Sequence, residues 1–326
     1  MMRYALGMLL AWSVWICTAA ANVKPVWHEG RRYVRLEELA AVYGGELIPT
    51  PDNKRVVVKT RWAELAFHPD SRELRIGPTL VWLHEPMIRV RSSWAIRELD
   101  AVQIVDPVMR PAEYLPAAGS RVVVIDPGHG GLDTGARGKR GGEEKHAALD
   151  IARRLRNHLI AAGLKVYLTR ENDRFIELEE RCRLARRWRA DLFVSIHLNS
   201  AASTTAEGIE TYALAAAGAA STAGGEGGGA LPGNRFDAAN SLLGFHIHRT
   251  LVAQANAPDR GLKRSRFIVL RNAPCPAVLV ECGFLSHAEE EQKLLRETYR
   301  EDLARGIAKG ILHYVGLARK TQRTIP

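Results

Sequence analysis

Two histidines and two glutamates stand at points where apolar runs give way to turns. His129 lies in VVVIDPGHGGLDTGARG (122–138), His197 in DLFVSIHLNS (191–200) and Glu281 in PAVLVECGF (276–284), while Glu144 opens EKHAALDIARRL (144–155). Two imidazoles and a carboxylate suit zinc in a catalytic site that keeps one position for water. Zinc lowers the pKa of such a water to about 7. A further carboxyl, Glu281, can then take the proton and pass it to a leaving amine. Each residue taken singly has a plainer role: strand-end histidines hydrogen-bond, a glutamate at a helix start favours the helix dipole, and clustered glycines make ordinary turns. Their occurrence together at strand ends is what points to chemistry.

The elements that must position them are legible in outline. The short β-branched runs 122–125, 192–196 and 277–280 read as buried strands, and 165–169, 209–213 and 267–270 as further ones. Between them the periodicity of residues 144–162, closed by Gly163, and of 176–189, 237–254 and 288–314 predicts helices. Such alternation predicts an α/β fold, a mostly parallel twisted sheet flanked by helices. Parallel strands bring their carboxyl ends to one edge, so positions 129, 197 and 281 converge there, and the helix opened by Glu144 starts beside it. Gly128, Gly130 and Gly131 leave room for a metal or ligand to approach the His129 ring.

With VVVIDPGHGGLDTGARG, the stretches GGEEKHAALDIARRL, LKVYLTREND, ERCRLARRWRADLFVSIHLNS, GIETYAL and PAVLVECGFLSHAEEEQKL follow in order. Over residues 121–316 this series resembles the zinc-dependent N-acetylmuramoyl-L-alanine amidases, cell-wall amidases of type 3. The resemblance implies that His129, Glu144 and His197 are zinc ligands and that Glu281 is the catalytic glutamate. It also selects Glu144 over Glu143, because the ligand of that family immediately precedes a lysine, here Lys145. The implied reaction cleaves the amide between N-acetylmuramic acid and L-alanine of the stem peptide in peptidoglycan. Three positions depart from the family pattern: His287 after Phe-Leu-Ser, Cys282 after the glutamate, and Arg186 after Ala185. None is a proposed ligand.

The remaining chain divides by composition. Arg3, an apolar run to Cys17 and Ala19-Ala20-Ala21 resemble a secretory signal peptide over residues 1–21, shorter in its apolar part than a membrane span. An exported protein of the periplasm or cell envelope is expected, with no stable membrane span. Residues 22–115, rich in short strand-like pieces with helices at YVRLEELAAVYGG and SSWAIRELDAVQIVDP, form a smaller N-terminal α+β module, a candidate for envelope binding. Its pattern is loosely similar to the N-terminal modules of copper amine oxidases, without a metal cluster. A linker follows at 111–121, residues 116–318 form the catalytic domain, and 319–326 a tail. The glycine- and alanine-rich stretch 214–234 reads as a mobile loop.

The net charge of +10 becomes +9 once Arg3 leaves with the signal, and suits an anionic envelope. Nucleic acid is not expected, since the basic residues are spread along the chain and the densest cluster, 180–191, reads as a solvated helix face. Peptidoglycan is the expected partner, with a protein activator as a second candidate. The three cysteines left after the signal, Cys182, Cys275 and Cys282, are too few for a disulfide framework; Cys275 and Cys282 read as small buried residues flanking one strand, with a bridge between them as the alternative. Two rivals share parts of this reading: a zinc peptidase cutting within the stem peptide, and a non-catalytic wall-binding protein. No G-x-S-x-G elbow supports a serine hydrolase, and Gly138-Lys139-Arg140 fails as a phosphate loop.

Overall fold

The computed structural model describes residues 23–50, 54–115 and 121–323, so the expected signal peptide and residues 116–120 of the expected linker lie outside it. The N-terminal part supplies β1 (Val26–His28), β2 (Arg31–Arg35), α1 (Leu36–Val42), β3 (Glu46–Pro49), β4 (Val56–Lys59) and β5 (Glu64–Phe67). It continues with β6 (Glu73–Ile76), β7 (Thr79–Trp82), β8 (Ile88–Val90) and β9 (Ser93–Arg97). A bent helical stretch then places a π-turn between α2 (Glu98–Asp100) and α3 (Asp106–Met109). The expected helix over SSWAIRELDAVQIVDP thus opens as a strand, because Val34 and Ile96 pair across β2 and β9 and the ladder overrides local propensity.

The C-terminal part alternates as its periodicity predicts. It contains β10 (Val122–Pro127), α4 (Glu144–Ala161), β11 (Lys165–Leu168), α5 (Leu178–Arg187), β12 (Leu192–Asn199) and β13 (Ile209–Leu214). After these come α6 (Asp237–Ala255), β14 (Asp259–Ser265), α7 (Ile268–Arg271), β15 (Ala277–Phe284), α8 (Ala288–Leu294) and α9 (Glu297–Arg323). On α4 the buried residues Ala148, Ile151, Ala152, Leu155 and Leu159 recur every three or four positions and face the sheet. Each large one contributes about 1.5–3 kcal/mol on burial. Gly163, at φ +81, ends the helix by letting Leu164 N–H reach back to the Leu159 carbonyl at 3.0 Å.

The sheet is mixed and continuous. Strands β11, β10, β12 and β15 run parallel; β13 lies antiparallel to β15 and parallel to β14. Helices α4, α6 and α9 cover one face around Val123, Val194, Val278 and Ile307, while α5 and α7 cover the other around Phe193 and Leu279. Beyond β14 the sheet does not stop. Val81 of β7 pairs with Leu262, and the antiparallel ladder β7-β6-β5-β4-β3 extends it to eleven strands. Trp82 Nε1 donates to the Arg260 carbonyl at 3.0 Å, and Phe245 and Leu262 join the N-terminal core. The smaller module therefore closes the edge that β14 would otherwise expose. A second sheet, β1-β2-β9-β8, is confined to the module.

Other expectations are corrected. Residues 267–270 form a helical turn, α7, and the neighbouring strand is the more charged segment 259–265; a short apolar run does not distinguish the two by periodicity. The final helix is broken between Leu294 and Glu297 and runs to Arg323, into the expected tail. The stretch 214–234 follows a defined path. Arg266 Nη2 donates to the carbonyls of Ala216, Ala219 and Gly228 at 2.9, 3.3 and 2.9 Å, and Arg72 Nη1 reaches Thr222 O at 3.3 Å. Composition could not reveal those partners, which lie far along the chain.

Cys182, Cys275 and Cys282 are free and buried, and burial pushes the Cys182 thiol up to about 12. A thiol reagent should label none of the three in the native protein and all three after unfolding. Rapid native labelling would contradict this packing.

Candidate active site

The site is built on a row across the carboxyl edge of the sheet. His197 of β12 stands opposite Glu281 of β15, and Glu281 in turn opposite Glu210 of β13. In-register side chains of adjacent strands share a face, so these three are aligned. His129 follows β10 at φ +59, a left-handed conformation that turns its ring back toward the row. Glu144, the first residue of α4, enters from the helix side.

That turn exposes backbone carbonyls to the protein interior, and two buried arginines satisfy them. Arg181 donates to Pro127 O at 2.8 Å and His129 O at 3.0 Å, and Arg170 to Pro127 O at 3.1 Å and Gly128 O at 2.6 Å. Asp126 anchors the set, accepting from Arg181 Nη1 at 2.9 Å, Thr169 Oγ1 at 2.6 Å and Ser195 Oγ at 2.8 Å. Burial, with the neighbouring Arg181 charge, brings Arg170 down to about 10. The charged stretch expected as a solvated face of α5 thus holds one of the most buried side chains, Arg181.

At the centre, Glu144 Oε1 lies 3.0 Å from His129 Nε2 and 2.9 Å from His197 Nδ1. One donor atom from each of these three residues lies within 4.8 Å of the others. Asp133 Oδ2, 2.8 Å from His129 Nδ1, places the proton there and leaves Nε2 free to ligate. Glu144 Oε2 accepts from Ala136 N–H at 2.8 Å. Glycines make the space. A Cβ at Gly128 would fall 2.4 Å from His197 Cε1, and one at Gly135 2.5 Å from Glu144 Oε2.

Burial alone would raise the Glu144 carboxyl, yet the hydrogen bonds and charges of His129 and His197 outweigh it and hold the group well below the carboxylate range. Burial would lower His129, and its bonds to Glu144 and Asp133 reverse that. Glu281 behaves oppositely. Desolvation first, then the charges of Glu144 and Glu210, push it well above its ordinary value, and its Oε2 is buried with no hydrogen-bond partner among the described residues. Two imidazoles, a carboxylate and an orphaned carboxyl oxygen beside them fit a divalent cation with a water.

All four residues singled out in the sequence meet at this site. Sequence reasoning missed their supports. Asp133, four residues after His129, carries a local signal; Asp126, Arg170 and Arg181 carry none that separates them from surface charges. Glu291, buried in α8, was also missed. It accepts from Arg140 N–H at 2.7 Å and Gly142 N–H at 3.3 Å, fixing the turn that leads to Glu144.

An α/β sheet with a His/Glu/His group and a free carboxyl at its strand ends defines a metal-capable, hydrolase-like class of site. The family model for N-acetylmuramoyl-L-alanine amidase matches residues 123–313, and the chain belongs to this family. The amidase AmiA of Escherichia coli K12 is 36% identical over 223 residues, which span 61% of this chain and 77% of that protein. An N-acetylmuramoyl-L-alanine amidase structure from Clostridium difficile 630 is 37% identical, with a TM-score of 0.52 over 61% of this chain and 98% of that one. The CwlD amidase of Clostridioides difficile, solved in complex with the GerS lipoprotein, is 28% identical, with a TM-score of 0.52 over 60% of this chain and 98% of that one. The family match begins at residue 123, leaving the N-terminal module outside it.

Two substitutions test the supports. Asp133→Asn should weaken binding of an added divalent cation at the His129, Glu144 and His197 group by about 10–100-fold, read by competition with a chromogenic chelator, because it removes the carboxylate that orients the His129 ring. Arg181→Met should cost about 3–5 kcal/mol in chemical denaturation by leaving Asp126 buried without its cation. A stability change within error would show the guanidinium to be dispensable.

Proposed function

We propose that the chain hydrolyses the amide joining the lactyl group of N-acetylmuramic acid to L-alanine in peptidoglycan, with zinc held by His129, Glu144 and His197. Bound there, zinc would supply a Lewis acid and make a water acidic enough to attack near neutral pH. Glu281 is the proton carrier. Its Oε2 takes the proton as the water oxygen adds to the lactyl carbonyl carbon, then delivers it to the alanine nitrogen as the C–N bond breaks. The water's second proton also passes to the departing nitrogen, so the products are a muramic carboxylate and a stem peptide with a free ammonium, and atoms and charge balance. Asp133 orients the His129 ring, and the buried arginines hold the turn that presents it.

The observation that carries this reading is the orphaned Glu281 oxygen aligned with His197 across adjacent strands. Other buried side chains, such as Glu291 and Tyr314, also keep an unpaired polar atom; that of Glu281 is set apart by its register beside the His129, Glu144 and His197 group. The family membership supports the bond cleaved. Among the described residues no helix is long and apolar enough to cross a membrane, and we place the protein in the periplasm or envelope, consistent with the signal-like residues 1–21. The N-terminal module is assigned an envelope-binding role, and a protein activator is a candidate partner, as the lipoprotein complex of a relative illustrates.

Purified protein should release new N-terminal alanine from peptidoglycan, lose this activity with a chelator and regain it with zinc. Glu281→Gln should retain zinc while turnover falls by about 10²–10⁴-fold. New amino termini from residues deeper in the stem peptide would identify a peptidase instead. Undiminished turnover in Glu281→Gln would remove the proton carrier from the mechanism.

A further inference from the structure

The row that begins at His197 continues past Glu210 into cations. Glu210 is buried, and its carboxylate has four donors: Arg260 Nε at 2.7 Å and Lys263 Nζ at 2.5 Å on Oε1, with Tyr212 OH at 2.6 Å and Asn199 Nδ2 at 3.0 Å on Oε2. Burial would raise this carboxyl, and Lys263, Tyr212 and Arg260 together hold it below its ordinary value. It is therefore an anion, and its one negative charge faces two positive ones. Lys263 lies opposite Tyr212 on β14, which puts it on the face of the sheet that carries Glu210 and Glu281. The Arg260 guanidinium stacks 4.9 Å from the Phe284 ring centroid, at the end of the strand bearing Glu281.

The cations are also only partly covered. The Arg260 side chain is 36% exposed and that of Lys263 16%, against 3% for Glu210. Arg260 Nε is engaged by Glu210 and Nη1 reaches Glu207 O at 3.4 Å, while Lys263 Nζ has three hydrogens and bonds Glu210 through one, so both partly exposed cations have donors to offer a ligand. A pair built only to neutralise Glu210 needs a single cation. The excess positive charge stands in a half-desolvated wall beside the proposed bond-breaking centre, where an anion is attracted more strongly than in open water.

We propose that Lys263 and Arg260 form a carboxylate-binding subsite for the peptide side of the substrate, anchoring an acidic stem-peptide residue next to Glu281. This rests on the function proposed above for the choice of substrate. The carboxylate preference itself is a property of the wall and is readable without catalysis. Glu210 is then a positioning residue: it holds both cations at the strand edge and sets their net charge.

The test is calorimetric binding to the full chain of the dipeptide L-alanyl-D-glutamate, with both side-chain and terminal carboxylates free, and of its diamide. Neither contains the bond to be cut. The protein should bind the diacid about tenfold more tightly than the diamide. Lys263→Met leaves Arg260 to neutralise Glu210, so the fold is retained, and it should erase the preference by weakening the diacid alone. Lys263→Arg should keep it. Equal affinity of the unaltered protein for the two ligands overturns the proposal, as does equal weakening of both in Lys263→Met. Muramoyl-alanine cleavage without a diacid preference would refute this subsite and leave the amidase reading standing. A diacid preference without such cleavage would do the reverse.

Discussion

The site depends on the capture of three consecutive inward-facing carbonyls, of Pro127, Gly128 and His129, by two buried guanidiniums. A chain leaving β10 in this tight turn cannot return its carbonyls to a ladder or to water, and buried acceptors left unpaired are costly. Arginine answers this because one planar fork donates to several acceptors at once. Two such cations side by side repel each other, and Asp126 beneath the strand end offsets part of that charge. The result is a turn rigid enough to keep His129 at a positive φ, which a non-glycine residue adopts only when its surroundings impose it.

From that fixed point the rest of the centre follows by register. His197 and Glu281 need no loop to bring them together, since parallel pairing of β12 and β15 aligns them. The antiparallel insertion of β13 then sets Glu210 next to Glu281. A one-residue slip in either ladder would send the side chain to the opposite face. Glu144 alone arrives from a helix, and its position is set by the turn that Glu291 ties down from α8. Precision at His129, Glu144 and His197 is thus delegated to backbone geometry, and the side chains around them are chosen to hold that backbone.

This division explains what the sequence disclosed. Strand-end residues were legible because β-branched runs mark strands and a parallel sheet gathers their ends: His129, His197 and Glu281 were found this way, and Glu144 by its place at a helix start. Supporting residues were illegible because their role depends on burial that spacing does not encode. Arg181 sits in a helix whose other arginines are solvated, and nothing local separates it from Arg183 or Arg187. The same limit applies to β14. Its sequence DRGLKRS has too many charges to read as an interior strand, and it becomes one because the N-terminal module covers its far edge, Glu210 takes Arg260 and Lys263, and Ser241 accepts from the buried Arg264.

That strand also changes what the N-terminal module is. Asp259 Oδ2 accepts from Leu80 N–H at 2.9 Å and Trp82 binds the Arg260 carbonyl, so β7 holds the backbone of β14 on one side. The side chains of Arg260 and Lys263 hold Glu210 on the other. A module joined by a flexible linker would leave the catalytic edge indifferent to its presence. Here its sheet is the same sheet, and any loosening of the β7–β14 contact moves the strand from which both cations project. Order in the module and order beside Glu281 are therefore connected through a single shared strand, in a fold whose composition alone reads as two separate units.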